Sequence, residues 1–148
     1  MTDRWLQRAA LGLTLLGAGI AGYLVYTRYA HAQILCNISH GCETVQHSKY
    51  AKLGGVPVAL LGLAGYLAIL ATLFVRTEAA RLAGAAFALV GFGFSAWLTY
   101  LEANRIHAWC QWCVASAIVM TLLMVVLVSR LLLSPPPGGA VAARQQLA

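Results

Sequence analysis

Four long apolar stretches dominate the hydrophobic pattern of the chain. They are 18 to 22 residues long, lack charged side chains and cover residues 9–26, 56–75, 82–101 and 108–129. About 20 helical residues, each rising about 1.5 Å, span a hydrocarbon core about 30 Å thick. Because backbone groups in lipid must find hydrogen-bond partners within their own segment, each stretch is predicted to be a helix. The pattern therefore predicts an all-α integral membrane protein, a four-transmembrane-helix bundle.

The same pattern divides the chain into a membrane domain and a tail. The helices of the membrane domain, residues 1–133, are expected at about 9–28, 56–75, 82–101 and 108–131. Residues 29–55 then form one long outer loop. The remainder, residues 134–148, opens with Ser-Pro-Pro-Pro-Gly-Gly and is predicted to be a disordered cytoplasmic tail. The first apolar stretch exceeds the usual 7–15 residue core of a signal peptide, which favours a retained helix.

Composition and charge support this interpretation. The chain has 148 residues, of which 61% are hydrophobic and only 9% are charged, against about 25% charged in soluble domains. The net charge is +6, but the basic residues are scattered singly at the ends of the apolar stretches. This distribution favours contact with membrane lipid and does not favour nucleic-acid binding.

The Lys and Arg residues also predict an orientation. With both termini in the cytoplasm, six of them lie inside, namely Arg4, Arg8, Arg76, Arg81, Arg130 and Arg144, and four lie outside, namely Arg28, Lys49, Lys52 and Arg105. The excess has the sign of the positive-inside rule. We therefore expect a multi-pass protein of the cell inner (plasma) membrane whose long loop faces the periplasm.

All four cysteines fall on that outer face. Cys36 and Cys42 lie in the long loop, and Cys110 and Cys113 open the fourth helix. Residues three apart on a helix are neighbours, and the positive end of the helix dipole favours a thiolate. In an oxidising compartment the two pairs suggest either thiol–disulfide chemistry or a non-enzymatic membrane protein with structural disulfides.

A Cys/His metal-binding protein is the other alternative. Four histidines, His31, His40, His47 and His107, lie on the same face as the cysteines. Cys and His are the usual zinc ligands, but these spacings do not match a familiar zinc finger or knuckle. No metal ligands are therefore assigned.

Over about residues 9–130 the sequence resembles the vitamin K epoxide reductase family. The resemblance rests on the pair Cys36 and Cys42, on Ser48 six residues later, on Gly-Val-Pro at 55–57, and on Cys110-x-x-Cys113. The stretch 42–51 is similar to bacterial members. DsbB-type oxidases also have four helices and four cysteines, but their C-x-x-C comes before the separated pair. The order in this chain favours the vitamin K epoxide reductase family.

The resemblance implies a membrane thiol–quinone oxidoreductase. Such an enzyme re-oxidises a thioredoxin-like (DsbA-like) protein, here a separate chain, and passes electrons to a quinone, ubiquinone or menaquinone. This reaction supports disulfide bond formation. By the resemblance, Cys36 and Cys42 receive the electrons, Cys42 attacks Cys110, and Cys113 lies beside the quinone.

Three further residues are candidates for contact with the quinone. The resemblance implies a catalytic and quinone-binding role for Ser48, although a lone loop Ser often only caps a turn. Trp109 and Trp112 are expected to flank the quinone ring or, alternatively, to belong to the interfacial aromatic belt. Some animal members carry a Tyr one turn after the second C-x-x-C cysteine, where this chain has Ala117.

Overall fold

The computed structural model describes residues 2–38, 40–133 and 145–146. Its helices are α1 (Thr2–Tyr29), α2 (Cys42–His47), α3 (Val58–Phe74), α4 (Glu78–Leu101) and α5 (Gln111–Leu133). A 3-10 turn (Lys49–Ala51) and two antiparallel strands, β1 (Lys52–Leu53) and β2 (Val56–Pro57), connect α2 to α3. Except for Gln145 and Gln146, the predicted disordered tail lies outside the described residues.

Within the described residues, three helical segments are long and apolar enough to cross a membrane. These are Asp3–Tyr29, Glu78–Ile106 and Gln111–Leu133. The shorter apolar helix α3 has 17 residues, which at about 1.5 Å each lies at the lower end of the spanning range. The prediction of an all-α membrane bundle of about four helices is confirmed.

The observed helix ends differ from those expected from the apolar stretches. Helix α1 begins at Thr2 and includes charged residues, because long charged side chains can reach the interface while their backbone stays helical. Helix α4 begins at Glu78, where the Thr77 hydroxyl accepts a hydrogen bond from the Ala80 N–H at 3.2 Å. Helix α3 begins only at Val58, because the two preceding residues pair in the hairpin.

The four long helices pack in a closed ring. Helices α1 and α4 each contact both α3 and α5. Tyr66 lies at the centre, and a methyl group added at Gly17 would overlap its ring, so α1 and α3 approach closely only because residue 17 has no side chain. The Tyr66 hydroxyl donates to the Ser116 carbonyl at 3.0 Å and thereby joins α3 to α5. The ring supports the outer loop at one end.

The end of the ring opposite the long loop is closed by charged groups. The Arg130 Nε lies 3.0 Å from an Asp3 carboxylate oxygen, and the Arg81 guanidinium lies 4.0 Å from the other oxygen. These contacts join the first turn of α1 to α5 and α4.

Candidate active site

A buried cluster at the end of the bundle that carries the long loop brings the two cysteine pairs together. Cys42 and Cys110, 1% and 0% exposed, pack with Val45, and Cys36 and Cys113 pack against this cluster. Cys36 and Cys42 form a disulfide, whereas Cys110 and Cys113 are thiols. The four cysteines singled out in the sequence therefore form one contiguous group.

The two sulfurs of the loop disulfide differ in access. Cys36 is partly exposed and lies between the exposed residues Leu35 and Asn37, whereas Cys42 is buried against Cys110. A thiol arriving from outside can therefore reach Cys36, and the sulfur that it would release faces inward. The two sulfurs of the loop disulfide are therefore not equivalent: Cys36 is open to attack, and Cys42 is the sulfur that is released.

Cys110 does not lie within the first turn of α5, as the sequence suggested, but directly before it. Its sulfur accepts the Cys113 N–H at 3.4 Å, and its carbonyl accepts the Val114 N–H at 3.0 Å. Cys110 is therefore the N-cap residue, and its sulfur takes the part usually played by a Ser or Asp oxygen. The spacing of three remains meaningful, because the N-cap side chain faces the third helical residue.

These contacts lower the pKa of the Cys110 thiol. The hydrogen bond from the Cys113 side chain contributes most, and backbone N–H groups of Cys113 and Trp112 add to it. Burial and the nearby Glu102 carboxylate oppose the change without reversing it. Since the thiolate is both the nucleophilic form and the better leaving form of cysteine, Cys110 is prepared for exchange.

The two residues between Cys110 and Cys113 hold the loop in place. Gln111 Oε1 accepts the Ile38 N–H at 2.9 Å, and Gln111 Nε2 donates to the Leu35 carbonyl at 3.3 Å. Trp112 Nε1 donates to the same carbonyl at 2.8 Å. The Gln111 side-chain amide thus forms one hydrogen bond with the loop backbone on each side of Cys36.

The loop also approaches α5 closely at Gly41. A Cβ atom added there would lie 2.7 Å from both the N and the O of Trp109, closer than real Cβ contacts. Helix α2, which begins at the next residue, is tied to the bundle because the Arg28 Nη1 donates to the Gln46 carbonyl at 2.6 Å. The backbone therefore places Cys42 directly over the segment that leads to Cys110.

A cavity of about 380 Å³ begins beside the C-x-x-C pair and extends between α3, α4 and α5. Its size falls in the usual range of ligand pockets. Cys113 and Ser48 both line it, and most of its remaining wall is apolar. The larger apolar side chains on this wall include Leu61, Phe87, Val90, Phe94, Leu98 and Met120.

Ser48 has a structural contact as well as a place on the cavity wall. Its hydroxyl donates to the Val45 carbonyl at 2.7 Å, which closes the last turn of α2. A hydroxyl donates one hydrogen bond and can accept two. The Ser48 oxygen can therefore still accept a hydrogen bond from a ligand.

Two polar residues of the site, Gln46 and Glu102, were missed in the sequence. The Gln46 amide donates to the Cys113 sulfur at 3.6 Å, and a Glu102 carboxylate oxygen accepts the Cys110 N–H at 3.2 Å. Glu102 was assigned to a tight connection outside the membrane helices. Instead, α4 continues as a π-helical turn (Glu102–Ile106) that ends at His107 with a left-handed φ of 54°. Charge alone therefore did not mark the end of this helix.

Trp109 and Trp112 do not line the cavity, in contrast to the expectation that both flank the quinone ring. The Trp112 ring packs against Tyr23 with a centroid distance of 4.9 Å, and its N–H is bonded to the loop. The Trp109 side chain is about half exposed, and its backbone contacts Gly41. Both lie on the loop side of α5, whereas the cavity lies on the other side.

Replacement of Gln111 by Ala is expected to loosen the loop over Cys110. It removes two loop hydrogen bonds, and at about 1 kcal/mol each this corresponds to roughly tenfold or more in the population of the open loop. Cys110 alkylation by iodoacetamide, followed by mass spectrometry in a Cys113→Ala background, should become faster by that factor. Gln33→Ala, an exposed residue of the same loop, is the matched control. Equal rates in both variants would show that Gln111 does not hold the loop.

The comparison with known families agrees with this geometry. The model of the vitamin K epoxide reductase family matches residues 8–128, which include all four cysteines, Ser48 and Glu102. The match covers more than half of the chain. The chain therefore belongs to the vitamin K epoxide reductase family and is a multi-pass membrane oxidoreductase that acts on thiols.

Proposed function

We propose that the protein moves two electrons from a separate thioredoxin-like protein to a quinone and thereby supports disulfide bond formation. The observation that carries this proposal is the continuous path from the accessible Cys36, through the buried cluster of Cys42, Val45 and Cys110, to Cys113 on the cavity wall. The thiol partner approaches from the periplasm, and the enzyme lies in the cell inner membrane with both termini in the cytoplasm. The Lys and Arg distribution supports this orientation.

The first exchange takes place at the loop. A thiolate of the partner attacks the Cys36 sulfur, the Cys36–Cys42 bond breaks, and Cys42 leaves as a thiolate. The second partner thiol then breaks the mixed disulfide, so that the partner ends as a disulfide and the loop as a dithiol. Each step forms one S–S bond and breaks one, as thiol–disulfide exchange requires.

The second exchange passes the electrons inward. The Cys42 thiolate attacks Cys110 of the Cys110–Cys113 disulfide, and Cys113 is released at the cavity. Cys36 then attacks Cys42 and displaces Cys110. The lowered pKa of Cys110 favours this last step, because a thiol of low pKa is a fast leaving group. A loop disulfide with two C-x-x-C thiols, the arrangement in the structure, corresponds to the enzyme after this transfer.

The residues around the cavity fit a quinone. The wall is mostly apolar, and Gln46 at Cys113 and Glu102 at Cys110 add polar groups to it. Leu61 on α3 and Val90 on α4 line the cavity and are 38% and 72% exposed, which supports an opening of the cavity between these two helices. A long isoprenoid tail can leave there. When bound, ubiquinone or menaquinone supplies the two-electron acceptor, while the protein supplies position and an apolar environment.

The two cysteine pairs are expected to react with different substrates, the loop pair with the thiol donor and the C-x-x-C pair with the quinone. Cys113→Ala is expected to abolish quinone reduction with every thiol donor, because no sulfur is then available at the cavity. Cys36→Ala should abolish turnover with a thioredoxin-like donor but retain quinone reduction by a small dithiol that reaches Cys110–Cys113 directly. Quinone absorbance during steady-state turnover measures both reactions.

Wild type with the small dithiol is the positive control for the two cysteine variants. If Cys36→Ala lost the small-dithiol reaction as completely as Cys113→Ala, the loop pair would not be a separate shuttle.

Gly62→Val should weaken quinone binding. Gly62 lines the cavity, and a Cβ atom there meets nothing within 4 Å, so the new side chain enters open space without disturbing the helix packing. Overlap with a ligand costs about 1–3 kcal/mol, and the KM for quinone should therefore rise by roughly tenfold or more. Gly93→Val on α4 is the control, since Gly93 also has open space but lies outside the cavity wall. An unchanged KM in Gly62→Val would place the quinone elsewhere.

Ser48→Ala is expected to lower turnover with quinone. The variant loses a hydroxyl that closes α2 and that can accept a hydrogen bond at the cavity. A loss of 1.4 kcal/mol corresponds to about tenfold in rate. Steady-state quinone reduction is compared with that of Lys49→Ala, the exposed neighbour, after intact folding and quinone binding have been verified. Turnover within about twofold of wild type would exclude a catalytic part for the hydroxyl.

A further inference from the structure

Glu102 is a buried acid between the C-x-x-C pair and the cavity. Its side chain is 3% exposed and lines the cavity wall. One carboxylate oxygen accepts the Cys110 N–H at 3.2 Å, and the Cys113 side chain lines the same cavity wall. The π-helical turn that begins at Glu102 carries the helix past Leu101 at this point, and such turns are often found at functional sites.

The surroundings of Glu102 favour a carboxyl group that exchanges a proton. Of the described residues that line the cavity, it is the only carboxylate, and the other titratable ones are Tyr50, Tyr66 and Cys113. No Lys, Arg or His of the described chain forms an ion pair with it. A buried carboxylate without a cation is costly to keep charged, so its proton is readily gained when a donor stands beside it. The donor beside it is Cys113.

Two groups near the Cys113 thiol can accept its proton. The Cys110 sulfur accepts the Cys113 N–H at 3.4 Å, and the Glu102 carboxylate lines the same cavity wall as Cys113. When Cys110 is oxidised to the disulfide, both thiol protons must leave this buried place. Of these two acceptors, the Glu102 carboxylate lines the cavity and can therefore pass the proton to a ligand bound there.

We propose that Glu102 is a catalytic residue that carries a proton from the Cys113 thiol to the quinone oxygen. This inference rests on the proposed function. In the complete reaction the Cys110–Cys113 bond forms, both S–H bonds are lost, and the quinone gains two electrons and two protons to become a hydroquinone. Glu102 accepts the Cys113 proton and delivers it to one oxygen. The Cys110 proton leaves to the outer medium, and a proton from that medium reaches the other oxygen.

The competing role for Glu102 is purely positional. Its bond to the Cys110 N–H holds the N-cap of α5, and a neutral amide could hold it equally well. Glu102→Gln separates the two roles, because the amide oxygen still accepts this N–H but the side chain cannot carry a proton. Glu102→Asp keeps the acid on a shorter side chain. Glu78→Gln, at the other end of the same helix, is the matched control.

The test measures two reactions of the full-length protein in detergent. The first is quinone reduction with a small dithiol, in which Glu102→Gln should be slower by roughly 100-fold, as for loss of a general acid–base. Glu102→Asp should retain more activity than Glu102→Gln, and Glu78→Gln should match wild type. The second is dithiol reduction of the Cys110–Cys113 disulfide without quinone, which Glu102→Gln should slow far less than quinone reduction, because the dithiol brings protons of its own for the released Cys113 thiolate.

A spectroscopic measurement without quinone accompanies these rates. The infrared difference spectrum between the disulfide and dithiol forms should contain a carboxyl C=O band that is absent in Glu102→Gln. The proposal is overturned if Glu102→Gln reduces quinone within about twofold of wild type, if it loses both reactions equally, or if the band persists. Should the wild type fail to reduce quinone, the proposed function fails, and the infrared band alone then decides whether Glu102 exchanges a proton with the C-x-x-C pair.

Discussion

The buried cluster that holds Cys42 and Cys110 together is the feature on which the rest of the site depends. Sulfur exchange needs the attacking and attacked atoms within reach, and a loop is a poor element for holding them unless its backbone is fixed. Three local contacts hold the loop backbone here. Gly41 allows the loop to approach the Trp109 backbone closely, Gln111 forms hydrogen bonds with the loop on both sides of Cys36, and Arg28 donates a hydrogen bond to α2. The bundle beneath supplies the rigid platform that makes these short contacts effective.

At the N-terminus of α5, the Cys110 sulfur satisfies both a structural and a chemical requirement. A helix N-terminus leaves N–H groups without intrahelical partners, and a reactive cysteine needs donors that stabilise its thiolate. Cys110 meets both, because its sulfur accepts the Cys113 N–H. The consequence is directional. The low pKa of Cys110 makes it a good leaving group in the inward transfer, and the second thiol, Cys113, lies on the cavity wall.

The fold and the redox centre were predictable because their signals are local. An apolar run about as long as the hydrocarbon core is thick predicts a helix whatever its neighbours, and the shared face of the four cysteines follows from counting crossings. Glu102 could not be placed, because its inward position depends on a π-helical turn that no spacing reports. The sequence also left two alternatives open for Trp112, the quinone ring and the interfacial belt, because the packing against Tyr23 that fixes its ring cannot be predicted from the pattern.

All of the proposed chemistry lies at the outer end of the bundle, and this explains how one buried acid is tolerated. A charged group in mid-membrane is costly and usually marks a path across the bilayer. Glu102 instead lies where α4 ends, accepts the Cys110 N–H and shares the cavity wall with Cys113. The opposite end of the bundle is closed by the contacts of Asp3 with Arg81 and Arg130. Under the proposed function, electrons move from a protein beside the membrane to a carrier dissolved in it, and no charge has to cross the hydrocarbon core.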